Sequence, residues 1–166
     1  MLDIIKSRRS IRHFLETPIP TEILYSLLEA ARWAPSGGNN QPWLFVIIRE
    51  RANIHKIKMF SPGLQGDPSA LLVLCSDGPA EGTTAIMDIS MAAQNVLLTA
   101  TERGLGSCVI RSFNQPAVQS LLHLPSHVMP ELIISLGYPA KPARVSSRRP
   151  IEELVHWETY GGRSDE

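Results

Sequence analysis

Apolar residues recur along this chain in two rhythms, and their alternation predicts its elements. A short opening helix runs into an arginine cluster, after which Pro18 and Pro20 hold the chain extended. From Thr21 to Trp33, the residues Ile23, Leu24, Leu27, Leu28 and Ala31 form the stripe of an amphipathic helix, with Thr21 as its expected N-cap. The loop Ala34 to Pro42 breaks that rhythm, and Trp43 to Ile48 is then almost continuously apolar, as in a strand covered on both faces. A short helix around Asn53 to Met59 precedes a second such run, Leu71 to Cys75. Ile86, Ile89, Ala93, Val96, Leu97 and Ala100 mark a long helix over Thr84 to Arg103, with Gly104 as its C′ residue. Ser107 to Ile110 is a third strand, Asn114 caps a helix with Pro116 in its first turn, and Leu132 to Leu136 is a fourth strand before Gly137. Apolar strands separated by helices predict a central mixed β-sheet covered by helices. Residues 1–166 read as a single domain, with the polar stretch from Pro139 onward forming an arm.

Composition narrows the class. A chain of 166 residues, 43% hydrophobic and 19% charged, suits one ordinary core. Lys plus Arg and Asp plus Glu are both 16, so no overall field attracts nucleic acid, and none is expected as a partner. Asp88, Gln94, Asn95 and Glu102 make the long helix unfit for a bilayer, so no membrane partner is expected either. Met1 to Arg12 lacks the apolar core of a signal peptide, and Cys75 and Cys108 sit in apolar runs as inert, reduced thiols. Both features predict a cytoplasmic protein.

Against that neutral background, Arg8-Arg9-Ser10-Ile11-Arg12 concentrates three guanidiniums and a hydroxyl. Arg offers a planar fork that grips phosphate bidentately, so the cluster reads either as a solvated chain end or as an anion site. Ser146-Ser147-Arg148-Arg149-Pro150 is a second compact cluster. Between them, Pro35-Ser36-Gly37-Gly38-Asn39-Asn40-Gln41 exposes amides, a hydroxyl and glycine backbone that suit a flat polar heterocycle, or else form an ordinary helix-to-strand turn. Other motifs carry less. Gly104-Leu105-Gly106 follows a helix and precedes a strand, the reverse of a dinucleotide fingerprint. His123 and His127 have a zinc-like spacing but enclose Pro125 and have no Cys or acidic ligand close in sequence, so no metal is expected. Neither a nucleophile elbow nor an activated cysteine is visible.

Taken in order, these pieces resemble the FMN-dependent nitroreductase family over nearly the whole chain. The matching stretches are Arg8 to Phe14, Ala31 to Ser36 running on to Asn40-Gln41-Pro42-Trp43, Asp88 with Ala92 to Asn95, Gly104-Leu105-Gly106, Leu136 to Pro139, and Arg148-Arg149-Pro150 followed by Glu152 to Val155. The resemblance implies an α+β fold and a homodimer with FMN at its interface and an exchanged C-terminal arm. It further implies that Arg8, Arg9, Ser10, Arg12 and Arg148 hold the phosphate and ribityl chain. Pro35, Ser36 and Gly37 would line the isoalloxazine, Asn40 and Gln41 would reach it or a partner chain's flavin, and Ile110 and Arg111 would lie beside the ring. The implied activity is hydride transfer from NAD(P)H through FMN to nitroaromatic or quinone acceptors in two half-reactions, with the flavin carrying the chemistry. A flavin-destroying or dehalogenating enzyme of the same fold, and a non-enzymatic FMN-binding protein, are the competing readings. Two departures stand out. The segment 76–83 is short where the family often inserts a lid, which implies an open pocket. Arg111 replaces a small or acidic residue, and its charge either favours an anionic substrate or flavin semiquinone or pairs with an acidic neighbour.

Overall fold

The computed structural model describes residues 1–78, 84–143 and 146–163; most of the short segment 76–83, and part of the arm, lie outside the described residues. The elements are α1 (Leu2–Ser7), α2 (Thr21–Arg32), β1 (Trp43–Ile48), α3 (Arg51–Met59), β2 (Ala70–Asp77), α4 (Thr84–Glu102), β3 (Gly106–Ile110), α5 (Gln115–Leu121) and β4 (Val128–Gly137). The strands form one sheet in the order β1-β2-β4-β3.

Every pair of named strands in that sheet is antiparallel, which corrects the expectation of a mixed sheet. The parallel component is a single bridge, Ser10 to Ser107. Alternating helices and apolar strands suggest crossovers between parallel neighbours. Here the helices cover both faces of an antiparallel sheet, which gives the strands the same apolar pattern. Along β2 the side chains divide with period two. Leu72 and Leu74 pack with Ile134 and Leu136 against α2 and α4, whereas Leu71 and Val73 pack with Ile133 against α3 and α5. Edge strands depart from the two-sided pattern, since Leu44 of β1 and Val109 of β3 are exposed.

The ends of the helices follow local chemistry. Asn114 Oδ1 accepts from the Ala117 N–H at 3.0 Å, as its place ahead of Pro116 predicts. Gly104, at φ 73°, closes α4 with paired bonds from Leu105 N to Ala100 O at 2.8 Å and from Gly104 N to Thr101 O at 3.1 Å. Thr21 does not cap α2. It is the first helical residue after Pro20, and its hydroxyl accepts from Arg49 Nη1 at 3.0 Å. Ile86 also departs from its expected place in the buried stripe: like Met87 and Met91, it is exposed.

Candidate functional site

The stretch after α1 lies on the open edge of β3. Ile11 N donates to Ser107 O at 2.9 Å, Leu15 N to Tyr138 O at 2.8 Å, and Ala140 N to His13 O at 2.9 Å. Close backbone approach makes this docking possible. A Cβ on Gly106 would sit 2.7 Å from the Ile11 side chain, and one on Gly66, whose φ is +69°, would run into the Arg12 carbonyl oxygen. The arginine-rich segment is thereby fixed to the core by its backbone, and its side chains need not hold it there.

Beside it opens a cleft of about 440 Å³ whose lining includes Arg9, Ser10, Arg12, His13, Gln65 and Lys141. The Arg9 guanidinium donates to the carbonyls of Lys6 at 2.5 Å and Arg8 at 2.8 Å, so part of its capacity serves the end of α1. Among the described residues, the guanidiniums of Arg8 and Arg12 make no hydrogen bond or ion pair. Arg8 does not line the cleft, whereas Arg12 does, and a cationic cleft with an unspent guanidinium suits an oxyanion, a phosphate above all. Nothing in the sequence assigns His13, Gln65 or Lys141 a role at the site. Gln65 is brought in by the turn that ends at Gly66, and Lys141 by the bridge of Phe14 with Pro139.

The amide-rich loop is held elsewhere. Gly37 N donates to Asp88 of α4 at 3.2 Å from Oδ1 and 3.3 Å from Oδ2, and Gln41 N donates to Ser36 Oγ at 3.0 Å. Asn39 and Gln41 take positive φ, 57° and 49°. Asp88 is thus a positioning residue for this loop, a role that no isolated motif reveals. Pro35, Gly37, Asn40 and Gln41 are exposed and Ser36 half-buried. The sheet sets the loop apart from the arginines. Trp43 pairs with Ser76 and Ser76 with Met129 at one corner, while Ser10 pairs with Ser107 and Ser107 with Leu136 at the opposite corner. At ~4.8 Å per strand and ~3.3 Å per residue these corners lie about 30 Å apart. One small ligand cannot touch both within a single chain.

Ile110 ends β3 and Arg111 follows it. Ile110 is buried, and Arg111 is half exposed with its Nη2 3.7 Å from Glu131 Oε2, so the acidic neighbour of one sequence reading exists. Glu131 also accepts from Ser76 Oγ at 3.0 Å and from Gln115 Nε2 at 3.4 Å. Burial, and then the nearby Glu131 carboxylate, push the Cys75 thiol up to about 12, so it stays protonated and unreactive. Arg148 is not brought to the cleft. Its Nη1 donates to Ser146 Oγ and to Ser147 O, both at 2.9 Å, on an exposed arm. No cluster of three or more His, Cys, Asp or Glu that could hold a metal occurs among the described residues, and no described helix is long and apolar enough to cross a membrane.

This architecture is shared. The chain matches the Nitroreductase family over residues 5–71 and 61–138, and it belongs to that family of oxidoreductases. It is 33% identical over 149 residues to a protein of Methanothermobacter thermautotrophicus provisionally named NADH dehydrogenase/NAD(P)H nitroreductase, covering 85% of this chain and 78% of the relative. An FMN-dependent nitroreductase from Clostridium difficile superposes with a TM-score of 0.86 at 26% identity, over 96% of this chain and 99% of the other, so the α+β fold is common to both. An iodotyrosine deiodinase from Thermotoga neapolitana is 27% identical, over 96% of this chain and 98% of the relative.

Proposed function

We propose that the chain is an NAD(P)H-dependent oxidoreductase that works as a homodimer holding FMN, and that it reduces nitroaromatic or quinone acceptors in two half-reactions. The observation that carries this reading is the cleft lined by Arg9, Arg12 and Lys141, on which the Arg12 guanidinium is unspent. Three cations are suited to a phosphate dianion, and the cleft volume admits a phosphate with part of its polyol chain. Arg8, Ser10 and Arg12 would hold the phosphate end, with Arg9 also bracing the end of α1. Ile110 and Arg111 would flank the ring end. The distance of about 30 Å to the Pro35–Gln41 loop, on the strand spacings of the sheet, supports a second copy as the source of Pro35, Ser36, Gly37, Asn40 and Gln41 at that ring. Arg148 would turn onto the phosphate only once the arm is packed. Bound FMN would supply the redox chemistry between NAD(P)H and the acceptor. The chain's own part is to bind the phosphate, orient the ring and leave one face open. Free, buried Cys75 and Cys108 support work in the reducing cytoplasm.

The test is binding. FMN should be held far more tightly than riboflavin, and Arg12→Ala should weaken FMN by about tenfold or more while leaving riboflavin affinity unchanged, since a charge-assisted contact is worth roughly 1.5–3 kcal/mol. Equal affinity for FMN and riboflavin would overturn the assignment. Parallel double-reciprocal lines at several acceptor concentrations should follow from two half-reactions sharing one site; intersecting lines would show a ternary complex. A second reading, reductive dehalogenation, is favoured by the likeness to the deiodinase, and iodide release from 3-iodotyrosine at rates matching nitro reduction would select it.

A further inference from the structure

β4 carries an irregularity at one residue. Leu74 of β2 faces Leu132 and Cys75 faces Pro130, so Glu131 is the extra residue of a β-bulge. Bulges re-aim a side chain out of the regular ladder and are common beside active sites. Here the re-aimed group is a carboxylate only 3% exposed, in a sheet interior filled mostly with Leu, Ile and Val. A charge in such a place needs partners. Ser76 Oγ and Gln115 Nε2 supply hydrogen bonds, and Gln115 is braced in turn by donating to Pro130 O at 2.9 Å. Arg111 is the only cation paired with Glu131 among the described residues.

That ion pair, at 3.7 Å, is longer than a hydrogen bond. It holds the guanidinium near the bulge by charge and leaves its N–H donors without a hydrogen-bond partner among the described residues. The Arg111 side chain is 52% exposed, so those donors face solvent at the end of β3. Arg111 lies four residues beyond Ser107, about 13 Å along the strand from the bridge to Ser10. The phosphate cations are therefore at one end of this edge and Arg111 at the other. A loop joins the two ends: Gly63 packs on Ser112 and Gly66 on the Arg12 carbonyl.

We propose that Glu131 is a positioning residue which holds Arg111 at the mouth of the site, and that the pair gives this enzyme a preference for acceptors bearing a carboxylate. The inference rests on the reading of the chain as an FMN oxidoreductase and narrows its substrate class. Arg111 meets the anionic group of the acceptor, Glu131 fixes where it is met, and Ser76 and Gln115 fix Glu131.

The probes are 4-nitrobenzoate and its neutral isostere 4-nitrobenzamide, used with the FMN-loaded protein. KM for the benzoate should be about tenfold lower than for the benzamide, the scale of one charge-assisted contact. Arg111→Ala should bring the ratio close to one. Glu131→Gln separates positioning from simple charge: a loosened guanidinium should lower the ratio about threefold, whereas loss of a nearby negative charge alone would raise it. Calorimetric titration of the oxidised protein with the same two compounds, without NAD(P)H, should show the same order of affinities. A wild-type ratio of one, or a ratio that holds or rises in Glu131→Gln, overturns the inference while the oxidoreductase reading stands. Failure of the protein to hold FMN overturns both.

Discussion

The two arginine clusters at the ends of this chain look alike as sequence and behave differently as structure. Arg8 to Phe14 is bonded to β3 and to the end of β4 through its backbone, with Gly106 and Gly66 giving it room, so that Arg9 and Arg12 stand at a cleft. The arm from Ser146 to Arg163 bonds mainly to itself: Arg149 Nε donates to Glu153 Oε2 at 3.1 Å, and Gly161 N to His156 Nδ1 at 3.2 Å. Ile151, Leu154, Trp157 and Tyr160 stay exposed along it, as do Met87 and Met91 on α4. Apolar side chains left in water along one segment point to a surface that covers them, and a second copy of the chain is the proposed partner. One cluster is thus placed by its own chain, whereas among the described residues the other is tied only to its own arm.

The largest effect is expected from ending the chain after Ala143. If the arm serves only the assembly, sedimentation should show the dimer lost and absorbance should show bound flavin lost, while far-ultraviolet circular dichroism still reports the sheet. A truncated protein that stays dimeric and yellow would make the arm dispensable. Next in size is Gly66→Ala. It forces a side chain into positive φ and against the Arg12 carbonyl, so thermal unfolding should show a loss of about 1–3 kcal/mol, with weaker FMN binding beyond it. An unchanged melting temperature would mean that the docked segment gives way easily and that its backbone does not fix the cleft.

The smallest effect sharpens the core side. Because the Cys75 thiol is pushed up to about 12, the folded chain keeps its proton while the unfolded chain loses it from about pH 9 upward. Stability should therefore be fully present below that pH and decline between about pH 9 and 12, by about 1.4 kcal/mol or less at pH 10 from this one group. Denaturant unfolding of Cys75→Ala should lack this share of the decline. The full-length and truncated chains should show it equally, because the group lies in the sheet and not at the arm.

Much of the fold is legible in local sequence. The stripe of α2, the strands around Val46, Val73, Val109 and Ile133, the Asn114 cap and the Gly104 stop all follow from local periodicity and local hydrogen bonding. The site is legible only as pieces. Nothing local shows that Gln65 and Lys141 join Arg12, that Asp88 holds Gly37, or that Glu131 bulges toward Arg111, because these partners are far apart in the chain.

Strand direction separates what sequence determined from what it could not. The apolar character of the central strands β2 and β4 depends on being covered by helices on both faces, a property that their own residues carry. Antiparallel pairing and the order β1-β2-β4-β3 depend on which edges meet, and every candidate pairing buries similar side chains. The elements, the neutral charge and the guanidinium-rich segment are thus properties of the local sequence. That this segment lies along β3, and that the Pro35–Gln41 loop stands at the opposite corner, follows from tertiary packing, because those distances are set by strand order and register and not by any residue's own preference.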